Sequence, residues 1–379
     1  MGLGTISAAL SAALIFGGIA GQAIAQEKKP VKIGAVLALS GGGALDGQEA
    51  RNGMLAMAEL INSEGGVAGG RKIEMSFYDD KNTPEDAISA AKRAIDGDKV
   101  DLLVGTIISP TSLAIKEVSR DKLAHIVLLG AHPNITKEGH KWLFRLNATV
   151  PALGAAYSKY LCEKAKPKSI AYLTVNDDFG RFDNTSMRKL LGECGIKETG
   201  AEFFNRQDSD YSTALTKLNA ASPDAFYVSA TATSQAANVL RQLRQIGYRK
   251  PVFLSVGVLT PKTVELAGPG AEGAHGIALY SYQTDTTNPV SVKWHKNYET
   301  LAKEVPSLAS VAGGEAIELL ARAVDKVGSA NNYDGIAAAI RGRKGKTIMG
   351  SETTFDEIGQ ALRPIHILQV KSGKFNVMN

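Results

Sequence analysis

The apolar positions of this chain fall into two alternating rhythms. Short continuous runs such as VKIGAVLAL (31–39), DLLVG (101–105), HIVLLG (125–130), SIAYLTV (169–175), AFYVSA (225–230) and VFLSV (252–256) suit strands buried on both faces. Between them, apolar residues return at helical spacing. Ala50, Met54, Met57 and Ile61 mark one such face, and Gly65-Gly66 closes that helix. KIEMSFYDD (72–80) alternates Ile73, Met75 and Phe77 and predicts a further strand. Thr83 as cap, Pro84 at the first helical position and acids in the first turn predict the next helix. After LFRLNATVP (143–151) the rhythm resumes, with helices expected near 182–194, over 210–221 and over 234–247. AEFFNR (201–206) and GIALYSY (276–282) read as strands, and two helices are expected near 289–303 and 311–327. The tail RPIHILQVKSGKFNVM (363–378) reads as a hairpin turning at Ser372-Gly373.

Two runs of strand–helix units imply parallel sheets with helices on both faces. Ligands of such sheets bind beyond the carboxyl ends of the strands. The segments to search are therefore Ser40–Gly47, Ile107–Ser112, Gly130–Pro133, Asn176–Gly180, Ala230–Ser234 and Gly257–Pro261.

Composition adds bounds. The chain has 379 residues, 44% hydrophobic and 21% charged, which is ordinary for a globular protein. That length accommodates about two domains. The net charge is +5, but the longest basic cluster is RGRKGK (341–346). It reads as a solvated turn, and no nucleic-acid partner is expected. The first 26 residues carry no charge, and Ala23-Ile24-Ala25 ends an apolar, small-residue stretch. Residues 1–25 read as a secretory signal peptide cleaved after Ala25, although a basic leading region is missing. No cysteine lies near the cleavage point, so no lipid attachment is expected. No later stretch approaches the ~18 apolar residues of a membrane span. Cys162 and Cys194 are the only cysteines. In an exported protein they form either one disulfide or two buried thiols.

Candidate chemistry is sparse. SGGGALDG (40–47) follows a strand and opens a helix, but it does not match G-x-G-x-x-G, and no phosphate-binding G-x-x-x-x-G-K-[ST] exists. It is either a plain turn or a loop that lets backbone approach a small ligand. In GTIISPTSLAI (105–115), Ser109 suits a helix N-cap and Pro110 the first helical position. A helix start offers unpaired N–H groups and positive potential, and a hydroxyl beside them suits a carboxylate. No G-x-S-x-G or H-E-x-x-H occurs, and His125, His132, His140, His275, His295 and His366 are scattered without metal spacing. No cofactor or metal is expected. VNDDFGR (175–181) pairs Asp177 and Asp178 after a strand. Turn and cap roles fit these acids better than acid–base catalysis.

Five segments carry a resemblance. They are IGAVLALSGGGALDGQEARNGMLAMAELINSEGGVAGGRKIEMSFYDD, LLVGTIISPTSLAI, IVLLGAHPNIT, YLTVNDDFGR and DAFYVSATATSQAANVLRQLRQIG. Through them nearly the whole mature chain resembles the periplasmic leucine/isoleucine/valine-binding family, the solute receptors of ABC importers. The resemblance implies an α/β fold of two doubly wound parallel-sheet lobes joined by three crossovers, with a ligand cleft between them. The crossovers fall near Leu146–Val150, Tyr280–Thr284 and Phe355–Gly359. Lobe one is then 26–147 plus 283–355, and lobe two is 149–281 plus 358–379.

The resemblance also implies site residues. The family's carboxylate-binding serine matches Ser109, with Ile108 before it, and its backbone-presenting segment matches Gly130-Ala131. His132 replaces the hydroxyl residue that usually follows. Phe179 matches an aromatic after the first strand of lobe two, and Thr231 stands where another aromatic is usual. Gly257 stands where the acid that receives an amino group is usual, which weighs against an α-amino acid. Asp46 stands at a side-chain-contacting position in the first loop, suited to an ammonium or hydroxyl. The expected ligand is a small carboxylate, either a branched-chain-type amino acid or a related organic or aromatic acid. Permease subunits in the inner membrane are the implied partners, and a monomer is the implied state. A ligand-sensing receptor of the same fold without a transport role is the alternative. An exported enzyme using the paired acids ranks last.

Overall fold

The computed structural model describes residues 1–2, 28–137, 139–282 and 284–378. Apart from its first two residues, the expected signal peptide lies outside the described residues, as does its cleavage point.

The first sheet contains β1 (Val31–Leu37), β2 (Ile73–Asp79), β3 (Leu102–Val104), β4 (His125–Val127) and β5 (Leu143–Arg145), in the order β2-β1-β3-β4-β5. All its pairings are parallel. The second contains β6 (Ser169–Val175), β7 (Lys197–Phe204), β8 (Ala225–Ser229), β9 (Val252–Leu254) and β10 (Ala274–Ala278). A small ribbon pairs β11 (Thr354–Phe355) with β12 (Ala361–Leu362). The hairpin β13 (His366–Lys371) and β14 (Lys374–Val377) joins the second sheet, whose order is β14-β13-β10-β9-β8-β6-β7. The hairpin turns at Ser372-Gly373, as expected.

Helices α1 (Ala44–Ser63), α2 (Pro84–Lys92) and α3 (Ser109–Ser119) belong to the first lobe. Helices α4 (Val150–Tyr160), α5 (Asp178–Glu193), α6 (Ser212–Asn219), α7 (Thr233–Gln245) and α8 (Pro261–Ala267) belong to the second. The chain then returns to the first lobe for α9 (Pro289–Ala302), α10 (Leu308–Val327) and α11 (Tyr333–Arg341).

Alternate strand residues feed two layers, as a sheet covered on both faces requires. Val36 and Leu103 cluster with Ala87, Ala91 and Ile115 of α2 and α3, whereas Leu37, Leu102 and Val104 cluster with Met54 and Met57 of α1. Helices α1 and α10 cross at backbone contact. A Cβ on Gly53 would lie 1.9 Å from the Ser310 carbonyl oxygen, so only glycine fits there. The buried Trp294 then donates its indole N–H to the Gly53 carbonyl at 3.0 Å.

The chain passes between the lobes three times. It crosses after β5 and after β10, and returns before β13. The third passage comes later than Phe355–Gly359. Residues 359–363 stay on the first lobe, where Gln360 bridges Arg145 beside β5 and Arg363 forms a buried ion pair with Glu315 of α10. This segment, just ahead of the third passage, is tied to the start of the first. The buried Arg145 donates to the Gln360 side-chain oxygen at 2.6 Å, and the Gln360 amide donates to the Asn147 carbonyl at 2.6 Å.

Cys162 and Cys194 form a disulfide, which joins the end of α4 to the end of α5. The bridge spans 32 positions of sequence. Limiting the unfolded chain to that closed loop stabilises the second lobe by about 3–4 kcal/mol. Urea unfolding with and without reductant checks this. The midpoint should fall on reduction, and an unmoved midpoint would show the bridge to be energetically idle.

Candidate functional site

The two lobes meet over a cavity of about 450 Å³, its mouth included. Of the residues singled out from sequence, Asp46, Ile108, Ser109, Phe179, Thr231 and Gly257 line it. Ile107, Leu129, Asn147, Ala230, Val256, Val258 and Leu308 complete the wall, which is mostly apolar. No lysine or arginine is among them. A ligand carboxylate here would be met by dipoles, with no counter-charge in the wall.

Those dipoles come from the corner after β3. Ile108, in extended conformation, is the N-cap of α3, and Ser109 is its first residue. This corrects the expectation of Ser109 as cap. The reason lies in the partners of its hydroxyl. Ser109 Oγ accepts the backbone N–H of Ala131 at 3.0 Å and of His132 at 3.1 Å. A serine hydroxyl has two lone pairs and one proton. With both acceptor positions taken, Ser109 can act only as a donor. The corner is held by a hydroxyl cluster: Thr106, Thr111 and Ser112 lie within hydrogen-bond reach of the Ile108 carbonyl, and Thr106 of the other two hydroxyls. Ile108 has no side-chain oxygen to cap α3, so the first N–H groups of that helix have no partner within it.

Ala131 and His132 therefore support Ser109 from behind; with Gly130, they are not part of the cavity wall. The His132 ring packs edge-on against Phe182 of α5, at 5.1 Å between centroids. Its Nδ1 accepts from the Asn134 N–H, and burial lowers its pKa below the ordinary histidine value. With its ring turned to Phe182, His132 contributes no side chain to the cavity wall.

Asp46 is buried and faces the other lobe. Its Oδ1 accepts the Thr233 hydroxyl at 2.6 Å and its Oδ2 accepts the Thr233 N–H at 3.1 Å. Burial raises its pKa, and the two bonds from Thr233 oppose that rise. One turn along α1, Glu49 accepts the Ser307 hydroxyl. Burial, with Asp46 nearby, pushes the Glu49 carboxyl up to about 8. Gly257 has φ +81°, a conformation that disfavours any side chain, so it presents backbone only. The Thr231 hydroxyl is buried at the cavity with no partner among the described residues. A buried hydroxyl without a partner is the exception in folded proteins. Asp177 caps α5 by accepting the Gly180 N–H at 2.9 Å, and Asp178 pairs with Arg181 at the surface.

Most of the wall follows from the strand-end rule. Leu129 and Val256 lie one residue before flagged segments, and Asn147 and Leu308 lie outside the rule, since they come from an interlobe passage and from the first turn of α10. No local pattern marks either residue. Thr233, which engages Asp46, lay in a flagged segment, but its partner was not legible.

The chain belongs to the periplasmic binding protein family, whose pattern matches residues 30–374. Among its relatives is a leucine-, isoleucine-, valine-, threonine- and alanine-binding protein of Pseudomonas aeruginosa, 26% identical over 92% of this chain and 91% of that protein. A leucine-binding protein, LivK, of Thermotoga maritima superposes with a TM-score of 0.83 at 25% identity, covering 92% of this chain and 98% of the other. A solute-binding protein of an ABC transporter from R. palustris, solved with benzoate, has the same fold, with a TM-score of 0.84 at 21% identity over 92% and 95% of the two chains.

The Glu49 environment has a measurable consequence. Its folded-state pKa exceeds the ordinary carboxyl value, so the folded protein holds that proton more tightly than the unfolded chain. This contribution to stability is present at low pH and is lost as pH rises from about 4.5 to about 8. The melting temperature of Glu49→Gln should therefore fall less between pH 5 and pH 8 than that of the unaltered protein. Parallel declines would show that the carboxyl titrates normally.

Proposed function

We propose that this chain is the exported solute receptor of an ABC importer. It closes its two lobes around a small carboxylate-bearing ligand, a branched-chain-type amino acid or a related organic or aromatic acid. The observation that carries this reading is the Ser109 hydroxyl. Its acceptor positions are filled from behind, its proton is left for an anion, and it stands beside an uncapped helix start at an otherwise greasy cavity. The carboxylate would complete the end of α3, and the apolar wall would take the rest of the molecule.

Relatives fit this reading from both directions. The Pseudomonas protein is described as binding several amino acids, and the R. palustris structure contains benzoate. Both kinds of molecule carry a carboxylate. The disulfide suits an oxidising compartment such as the periplasm. Among the described residues, no helix is long and apolar enough to cross a membrane. Closure follows the usual logic of two-lobed receptors: the ligand bridges both walls, binds the closed form better and shifts the population toward it.

Isothermal titration against a panel of amino acids, short-chain organic acids and aromatic acids tests the proposal. At least one carboxylate should bind, and its amide or ester should not. Ser109→Ala should weaken that binding by roughly 1–3 kcal/mol, the worth of a hydrogen bond to a charged group. Unchanged affinity would reduce Ser109 to a brace for the loop at Ala131.

A further inference from the structure

Several helices of this protein carry their own N-cap. Thr83, Thr149, Asp177 and Thr260 cap α2, α4, α5 and α8 by accepting backbone N–H groups. At α7 the N-cap position is Ala232, which has no oxygen to offer. Its first residue, Thr233, is fully buried. The missing cap comes from the opposite lobe. The Asp46 carboxylate takes the Thr233 N–H with one oxygen and the Thr233 hydroxyl with the other. Neighbouring contacts reinforce the junction. The Ser234 hydroxyl donates to the Gly42 carbonyl at 3.5 Å, and Arg206 donates to the Asn82 carbonyl at 2.8 Å. In both cases the donor lies on the second lobe and the acceptor on the first.

We propose that Asp46 is the clasp of the closed receptor, a positioning residue that caps α7 across the cleft and sets affinity through the closed population, without binding the ligand itself. This rests on the two-lobe receptor reading above. It is an alternative to the sequence-based reading of Asp46 as the partner of a ligand ammonium or hydroxyl: each oxygen has one interlobe donor and keeps a further acceptor position, and the test below separates the two readings. Opening the lobes would expose the carboxylate and the start of α7 to water. Closing them exchanges that water for two bonds, one of them to the positive end of a helix. Apparent affinity scales with the fraction of molecules in the binding-competent form. Removing the clasp should therefore weaken every ligand by the same factor, whatever its chemistry.

The test uses the full mature protein, with leucine and benzoate as probes. Affinity is measured by titration and shape by small-angle scattering, with and without probe. Asp46→Ala should weaken each probe that binds by roughly 10- to 100-fold, the range for a lost charge-assisted bond. Thr233→Val should weaken it less, since its N–H remains. The double variant should be no weaker than Asp46→Ala, because the second change removes a bond already gone. At saturation all variants should reach the same compact scattering profile. Asp46→Asn, which keeps one acceptor, should fall between Asp46→Ala and the unaltered protein, and it replaces the alanine variant in the cycle should that variant fail to fold. Multiplying effects in the double variant, or a loss confined to amine-bearing leucine, would overturn the clasp and return Asp46 to the ligand. If the unaltered protein neither binds nor contracts with either probe or any panel member, the receptor reading itself fails.

Discussion

The helix starts at the cleft are the constraint on which the rest depends. In a strand–helix unit of a parallel sheet, the carboxyl end of each strand leads into the start of a helix. Both lobes thus bring unpaired N–H groups to their facing edges. Most helices of the second lobe satisfy theirs with a local Thr or Asp. The two that matter most, α3 and α7, begin after Ile108 and Ala232, which cannot. Each needs an acceptor from outside its own lobe's sequence. For α7 the other lobe supplies Asp46, and for α3 the cavity is left to be filled. An apolar cap residue is a poor choice for an isolated helix, and here it leaves the start of α3 without a side-chain cap at the edge of the cavity.

Much of the architecture was legible because periodicity reports burial. Strands such as Ser169–Val175 are buried along nearly their whole length, and their apolar runs are unmistakable. What escaped had a physical reason. The strand Leu143–Arg145 is three residues long and ends in an arginine whose burial depends on Gln360, His132 and Thr136. The helix Tyr333–Arg341 does carry start and stop signals, with Asn332 as cap, Asp334 in its first turn and Gly342 after it, but it is only nine residues long and its buried face is just Ile336, Ala337 and Ile340. The late third passage is fixed by Arg363 and Glu315, a pair 48 residues apart. The candidate site was legible to the same depth. Strand-end positions predicted much of the wall, but the orientation of a side chain depends on partners that sequence order hides. Asp46 finds its partner 187 residues away. His132 was placed near the right corner, yet its ring turns toward Phe182.

The same distinction separates Ser109 from the residues around it. The groups that hold it, namely the amides of Ala131 and His132 and the hydroxyl cluster on the Ile108 carbonyl, are internal and permanently made. They cost nothing at the moment of binding because folding has already arranged them. The remaining proton of Ser109 and the orphan hydroxyl of Thr231 then give a mostly greasy cavity two fixed polar points, one on each lobe.

The tie between Arg145, Gln360 and Asn147 anchors the segment ahead of the third passage to the start of the first. That segment cannot slide along the edge of β5 without breaking buried bonds. The Arg363–Glu315 ion pair fastens its far end to α10. The freedom of the connection to the second lobe is thereby left to the few residues between Arg363 and β13.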